Sequence, residues 1–345
     1  MKYFPRRFAM VVLLVLSTTS RIPAQQLPAS ASPRRDLIHI WGYRGLAPVL
    51  LRWEAAYEMR HPEVHFENHL NSPATVMAGL YDGVADLALM GRELWPVETM
   101  AYHWVYQQQP FGVVVLTAGL NAPDQSFTPV VIVNSRNPLT SISMSQLDGI
   151  YGSEHRIAPA NVRTWGELGL TGKWAQQPIH AYGFGPEDAL GVFFRHDVLH
   201  LDFKPNPESK LLSDHDSATT SAAQRINRAI AADPYAIGYT RLSSDSTVKL
   251  LAVASPAVTW PSQATLASHQ YALTRSLSIY CRRFPGKPLD PRLDQFLHFI
   301  LSSQAQDLVR PSDGFLPLNA VLMEEQRQKL DAPLAAASGS NWKEQ

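Results

Sequence analysis

From Asp36 onward the sequence alternates between two hydrophobic periods, and this alternation limits the possible folds more than any other feature. The run LIHIW at residues 37–41 reads as a buried strand; behind it Leu46, Val49, Leu50, Trp53 and Tyr57 recur at helical spacing. Further strands are predicted over 64–69, 87–90, 111–117, 129–133, 179–182, 236–239, 248–252 and 276–281. Helices are predicted over 75–81, 143–150, 187–199, 221–232 and 291–301, the last with Leu293, Phe296, Leu297 and Ile300 on one face. Strands that alternate with helices predict an α/β protein with parallel sheet. No internal repeat or low-complexity block interrupts the pattern.

The first residues differ in character. Lys2, Arg6 and Arg7 precede an apolar core over 8–16 and a polar stretch ending at Ala24, the pattern of a secretory signal peptide over residues 1–24. That core is shorter than the ~20 apolar residues a spanning helix needs, so a mature protein in the periplasm or outside the cell is expected. The whole chain has 30 basic and 30 acidic residues, and removing 1–24 takes away four basic ones, leaving −4. Such a balance provides no electrostatic footprint for nucleic acid. Cys281 is the single cysteine, which forbids an internal disulfide, and it reads as a small core residue. The mature length exceeds that of a usual single core and predicts two lobes.

The stretch YGFGPEDALGVFF, residues 182–194, combines a glycine-rich turn, a proline and an apolar run. It reads as a helix start that would attract an anion, yet Glu187 and Asp188 stand there. Carboxylates in a first helical turn gain from the helix dipole, so these two are expected to satisfy that end themselves and to spoil it for an anion.

Several phrases, in order and across most of the mature chain, resemble the phosphate-specific solute-binding proteins of ABC transporters, within the type II periplasmic binding protein superfamily. They are GLYDGVADLALMGRELWPVE, VIVNSRNPLTSISMSQLDGIYG with VRTWGELGLTGKWAQQPIHAYG, INRAIAADPYAIGYTRL, and the long block from YALTRSLSIYC to PSDGFLPL. The resemblance implies a two-lobed type II periplasmic binding protein fold, two α/β domains joined by a hinge of two crossovers. It places lobe 1 at 36–124 plus 275–323, lobe 2 at 125–274, and leaves 324–345 as a flexible polar tail. The crossovers would fall near 124–134 and 271–281. Such clefts lie at the carboxyl ends of parallel strands.

The family pattern can then be followed residue by residue. After the first strand its glycine corresponds to Gly42, but the hydroxyl residues that follow in the family are Tyr43 and Arg44 here. Arg44 offers a planar bidentate donor in their stead, the alternatives being a solvated loop arginine or a pair with Asp188. After the third strand the family's Met-Ser-Arg reads Met90-Gly91-Arg92, which makes Arg92 the foremost anion contact, against a structural pair with Glu93 or Glu98. In the 182–194 loop the family's arginine, serine, glycine and threonine become Phe184, Asp188, Ala189 and Leu190, and Asp188 is expected to occupy the anion's place opposite Arg44 or Arg92. Ligand-binding residues are therefore expected at Gly42, Tyr43, Arg44, Gly91, Arg92 and Asp188. His196 and His200 stand at i and i+4, a spacing that can hold zinc, with Asp214-His215-Asp216 following, but they read as ordinary surface histidines, and no metal or cofactor is expected.

The resemblance implies a monomeric, non-enzymatic protein that binds a small solute, phosphate or another oxyanion, and delivers it to an ABC permease. With the phosphate donors replaced, weak phosphate binding is expected. Two other readings stand beside it: a degenerate fold serving as an interaction or sensing module, its cleft filled by Tyr43 and Phe184, and a secreted hydrolase. The hydrolase has no G-x-S-x-G, H-E-x-x-H or P-loop motif in its favour.

Overall fold

The computed structural model describes residues 36–120, 127–202, 204–242 and 245–334; the expected signal segment and part of the first expected crossover lie outside them. The first elements are β1 (Leu37–Tyr43), α1 (Ala47–Glu58), β2 (His65–Asn71), α2 (Pro73–Tyr81), β3 (Leu87–Leu89), α3 (Pro96–Tyr106) and β4 (Phe111–Ala118). Next come β5 (Val130–Asn134), β6 (Ser141–Ser143), α4 (Met144–Tyr151), β7 (His180–Phe184), α5 (Ala189–Phe193), β8 (Lys210–Leu212), α6 (Ala222–Ala232) and β9 (Ala236–Thr240). The chain continues through β10 (Val248–Leu250), β11 (Ala252–Ala254), β12 (Val258–Thr259), α7 (Gln263–Ala267), β13 (Ser276–Cys281), α8 (Pro291–Ile300), α9 (Ser303–Gln306), β14 (Phe315–Leu316) and α10 (Ala320–Asp331).

Two sheets organise these elements as two α/β lobes. One has the order β14-β4-β13-β3-β1-β2, with β1 parallel to both β2 and β3 and with β13 antiparallel to β3 and β4. The other has the order β10-β5-β9-β7-β8, and a small third sheet, β12-β11-β6, lies alongside. The chain thus passes between the two large sheets after β4 and again before β13.

In the first lobe, Ile38 and Ile40 of β1 point to the same side, and Val49, Leu50, Trp53 and Tyr57 of α1 are buried. Trp53 satisfies its indole N–H by donating to the Ala305 carbonyl at 2.8 Å. Phe296 of α8 joins Tyr57 and Phe66 in the same core at 5.1 and 4.7 Å between ring centres. In the second lobe every residue of β5 and of β9 is buried, as in a sheet covered on both faces. Tyr239 stacks on Phe194 there, with ring centres 3.7 Å apart.

Four differences from the sequence reading have physical causes. The helix predicted over 187–199 is α-helical only from Ala189 and continues as a π-helical turn, Phe194–Val198, so Glu187 stands outside it. The single strand predicted over 248–252 divides between two sheets as β10 and β11. Helix α3 escaped prediction because apolar residues occur on its exposed side as well: Val97, Met100 and Trp104 face solvent while Tyr102 is buried, which blurs the helical period.

Of the tail predicted over 324–345, residues 324–331 are instead part of α10. Few apolar groups anchor that helix; Leu330 is buried, while Gln326 accepts from Val114 N–H at 2.9 Å and Lys329 Nζ donates to the Gly112 carbonyl at 2.6 Å. A helix held to a strand by polar side chains leaves no hydrophobic period to read. Residues 335–345 lie outside the described residues.

Candidate functional site

Between the two large sheets lies a cleft of about 480 Å³. The first lobe contributes Tyr43 at the end of β1, Ser72 before α2, and Gly91 after β3. The second lobe contributes Glu187, Asp188, Ala189 and Leu190 around the start of α5, Asp214 and His215 after β8, Ser221 before α6, and Arg241 after β9. Phe127 and Arg275, which flank the two passages between the sheets, complete the wall with Asp313. Loops that follow strands and lead into helices supply most of the lining, as is general for open α/β sheets.

The cleft presents helix starts, but their donors are largely used. Ser221 caps α6 by accepting from Gln224 N–H at 3.2 Å, and Gln224 returns a bond to Ser221 N–H at 3.3 Å. The Ala222 N–H donates to Asp214 Oδ1 at 2.6 Å. A carboxylate of the chain itself therefore sits at the start of α6, where an anion would gain from the dipole. Arg241 lies 3.4 Å from Asp214 Oδ2, its guanidinium over the Phe184 ring at 5.1 Å.

Arg275 is 1% exposed and fully engaged: it meets both oxygens of Glu93 at 3.1 and 2.9 Å, donates to the Phe127 carbonyl at 2.7 Å, and lies over the Phe193 ring at 5.3 Å. This arrangement ties the crossover strand β13 to the first lobe by charge and to the second by ring contact. Asp313 is matched by Arg52.

Three of the residues expected at the site, Tyr43, Gly91 and Asp188, line the cleft. Tyr43 and Gly91 act as a pair. A Cβ on Gly91 would stand 2.4 Å from Tyr43 Cδ1, so the missing side chain at 91 makes room for the ring at 43. The ring rests edge-on against Phe127, with centres 6.0 Å apart. Asp188 takes the N-cap position of α5, but its side chain makes no capping bond, and Oδ2 is buried without a hydrogen-bond partner. Burial first, and then the neighbouring Asp214 charge, push its carboxyl above the usual carboxylate range. The expectation that Glu187 and Asp188 satisfy the helix start is therefore corrected: α6, not α5, has its first N–H filled, and Asp214 fills it.

The other three expected residues stand elsewhere. Arg92 is 4% exposed and grips both oxygens of Glu98, at 2.8 and 2.7 Å, while stacking over Trp95 at 4.5 Å. A buried guanidinium needs a matched carboxylate, and the first turn of α3 provides one, so the structural pair replaces the ligand contact. Arg44 is exposed and outside the cleft lining, so Asp188 neutralises neither arginine. Gly42 is buried within β1, where a Cβ would meet Leu70 Cδ2 at 2.8 Å; it serves packing. Phe184 is likewise a core residue at 1% exposure and does not fill the cleft.

Sequence reasoning considered Asp214 only beside the histidines as a metal ligand, and it missed Arg241, Arg275 and the caps Ser72 and Ser221. The cap of α6 had a legible sign, Ser221 with Gln224 three residues on; the charged residues had none, since their partners are distant in the chain. Among the described residues no group of three or more His, Cys, Asp or Glu side chains is arranged to hold a metal, and His196 bonds instead to its neighbour Asp197 at 3.1 Å. No helix among them is long and apolar enough to cross a membrane.

Residues 27–304 match the family model described as PBP superfamily domain. Proteins named Phosphate-binding protein PstS, from two strains of Pseudomonas aeruginosa, are 29% identical over 288 residues, covering 83% of this chain and 84% of theirs. Among solved structures, PstS from Borrelia burgdorferi superposes with a TM-score of 0.56 at 20% identity, covering 83% of this chain and 100% of that one. An ABC-type phosphate transport receptor from Vibrio cholerae gives 0.54 at 20% identity, covering 81% and 99%. Both structural likenesses show the two-lobed type II periplasmic binding protein fold.

Proposed function

The chain belongs to the PBP superfamily, and from that premise we propose that it is an exported solute-binding protein, which takes a small oxyanion-bearing solute between its lobes and passes it to an ABC permease. The observation that carries this reading is the cleft of about 480 Å³ at the carboxyl ends of strands from both sheets, faced by Arg241 and by the serine-capped starts of α2 and α6. Curated relatives named for phosphate binding support an oxyanion as the kind of solute. The protein performs no chemistry in this reading; Arg241, only 3.4 Å from Asp214, turns from that partner to the solute, and lobe closure removes water from it. Export rests on the basic and apolar leader over 1–24.

A cleft filled by its own aromatic residues is not favoured, because Phe184 is withdrawn into the core and the cavity remains beside Tyr43. Closure is testable by small-angle X-ray scattering of the mature protein with and without inorganic phosphate and alkylphosphonates. Binding should reduce the radius of gyration and raise the melting temperature. A protein whose scattering and melting stay unchanged with every such solute at millimolar concentration would end the proposal.

A further inference from the structure

Helix α3 has two apolar faces and uses one. Inward, Tyr102 joins Val76, Met77 and Leu80 of α2 in a small core, and Glu98 closes on Arg92. Outward, Val97, Met100 and Trp104 are 62%, 39% and 70% exposed, with Ala101 partly exposed among them. These four stand at i, i+3, i+4 and i+7, the spacing of a stripe that packs against another element, and no described element covers it. Val105, also exposed, flanks it. Among the described residues, α3 holds more of the large exposed hydrophobic side chains than any other element. The stripe is therefore a patch, unlike the single apolar residues normal on a surface.

What the stripe lacks narrows what it can meet. Glu98 is the only charged residue of Pro96–Tyr106, and it is buried. A membrane surface attracts lysine and arginine, and the sequence has neither from 93 to 135. A partner steered by charge has nothing here to read. A second copy of the stripe meets no like charge, and it fits by shape. With two α3 helices antiparallel about a two-fold axis between Met100 and Ala101, the large Trp104 of each copy lies over the smaller Val97 of the other, as a self-complementary interface requires. No residue of α3 lines the cleft, so such a pair leaves both clefts open to solute.

We propose that two copies of this protein pair through the outward face of α3, antiparallel, with Trp104 as the anchor. The size of the patch sets the strength. Trp104, 70% exposed, offers roughly 150 Å² by itself. The two stripes with their flanks bury on the order of 1,000 Å² in all, at the low end of specific interfaces. The pairing is weak and reversible: a dilute sample is monomeric, and the dimer appears as the protein is concentrated.

Sedimentation velocity of the mature protein from about 5 to about 500 µM reads such an equilibrium. The sedimentation coefficient of the wild type should rise with concentration. Trp104→Glu puts a charge on the patch and should weaken the association at least about tenfold. The arrangement is read with cysteines, because Cys281 is buried and Met100→Cys then supplies the one accessible thiol. Mild oxidation of Met100→Cys at high concentration should give a disulfide-linked dimer. Val97→Cys, whose two thiols would stand about 10 Å apart along the helix axes, should stay unlinked, as should Met59→Cys, exposed at the end of α1. The cysteine pattern decides the matter even where Trp104→Glu does not fold. A wild type that sediments as a monomer throughout, or a dimer that a folded Trp104→Glu leaves intact, would overturn the proposal. Linking of Val97→Cys or Met59→Cys as readily as Met100→Cys would overturn it too.

Discussion

Placing a hydroxyl in the cleft at position 91 should fail unless position 43 changes with it. In Gly91→Ser, the new Cβ would lie 2.4 Å from Tyr43 Cδ1, 2.8 Å from Cγ and 3.1 Å from Cβ. Carbon atoms in comfortable contact are ~3.5–4.0 Å apart, so the ring must move by roughly 1 Å. These are atoms at the root of the side chain, and rotating the ring tip does not relieve them. The ring is held on its other side by Phe127, and a shift that way compresses an edge contact that now spans 6.0 Å. Overpacking of this kind costs ~1–3 kcal/mol. Tyr43→Ala removes the obstacle, so Gly91→Ser should cost almost nothing in that background. Urea unfolding of the wild type, both single variants and the double variant, followed by circular dichroism, gives the coupling directly. A coupling of at least ~1 kcal/mol is expected, well above the ~0.3–0.5 kcal/mol scatter of independent sites. Additive single effects within that scatter would refute the pairing of Tyr43 with Gly91.

Arg92→Met should destabilise the fold by ~3–5 kcal/mol, because Glu98 would be left buried without its partner, yet solute affinity of the folded variant should be unchanged; lost affinity with intact stability would return Arg92 to the cleft. Glu54, 5% exposed on α1, has its carboxyl pushed up to about 7 by burial, a shift that the Asn68 hydrogen bond opposes and Glu58 reinforces. A carboxyl raised in the folded state supports stability below its unfolded value, and that support is lost as pH rises through about 7. Melting temperature should therefore decline across that range, and Glu54→Gln, which keeps an acceptor for Asn68, should flatten the decline; an unaltered profile would contradict this. The Cys281 thiol, buried in β13 and pushed up to about 12 by that burial, should resist maleimide in the native protein and react in urea, and equal rates in both would show that β13 is open.

Much of the fold was legible because hydrophobic period is a local property. The strands that became β1, β2, β3, β4, β5, β7, β9 and β13, and the helices α1, α2, α4, α6 and α8, each show their period within a dozen residues. Where anchoring is polar or the apolar residues face both ways, as in α10 and α3, the period vanishes and the element was missed. Part of the site was legible for a similar reason: Tyr43, Gly91 and Asp188 follow strands, and strand ends point to the cleft.

The sequence by itself determined the alternating layers, the α/β class, the lone buried thiol and the places where a cleft could open. Which charges remain free in that cleft was decided by tertiary structure alone. Glu93 meets Arg275 from 182 positions away, and Arg241 meets Asp214 from 27. Even Arg92, only six positions from Glu98, depends on α3 forming and turning its first turn inward. Coulomb attraction and desolvation act through space at a few ångströms, so a list of arginines and carboxylates cannot say which will be matched; the fold pairs Arg52, Arg92, Arg241 and Arg275 in and beside the cleft and leaves Glu187 and Asp188 lining it without an ion pair among the described residues.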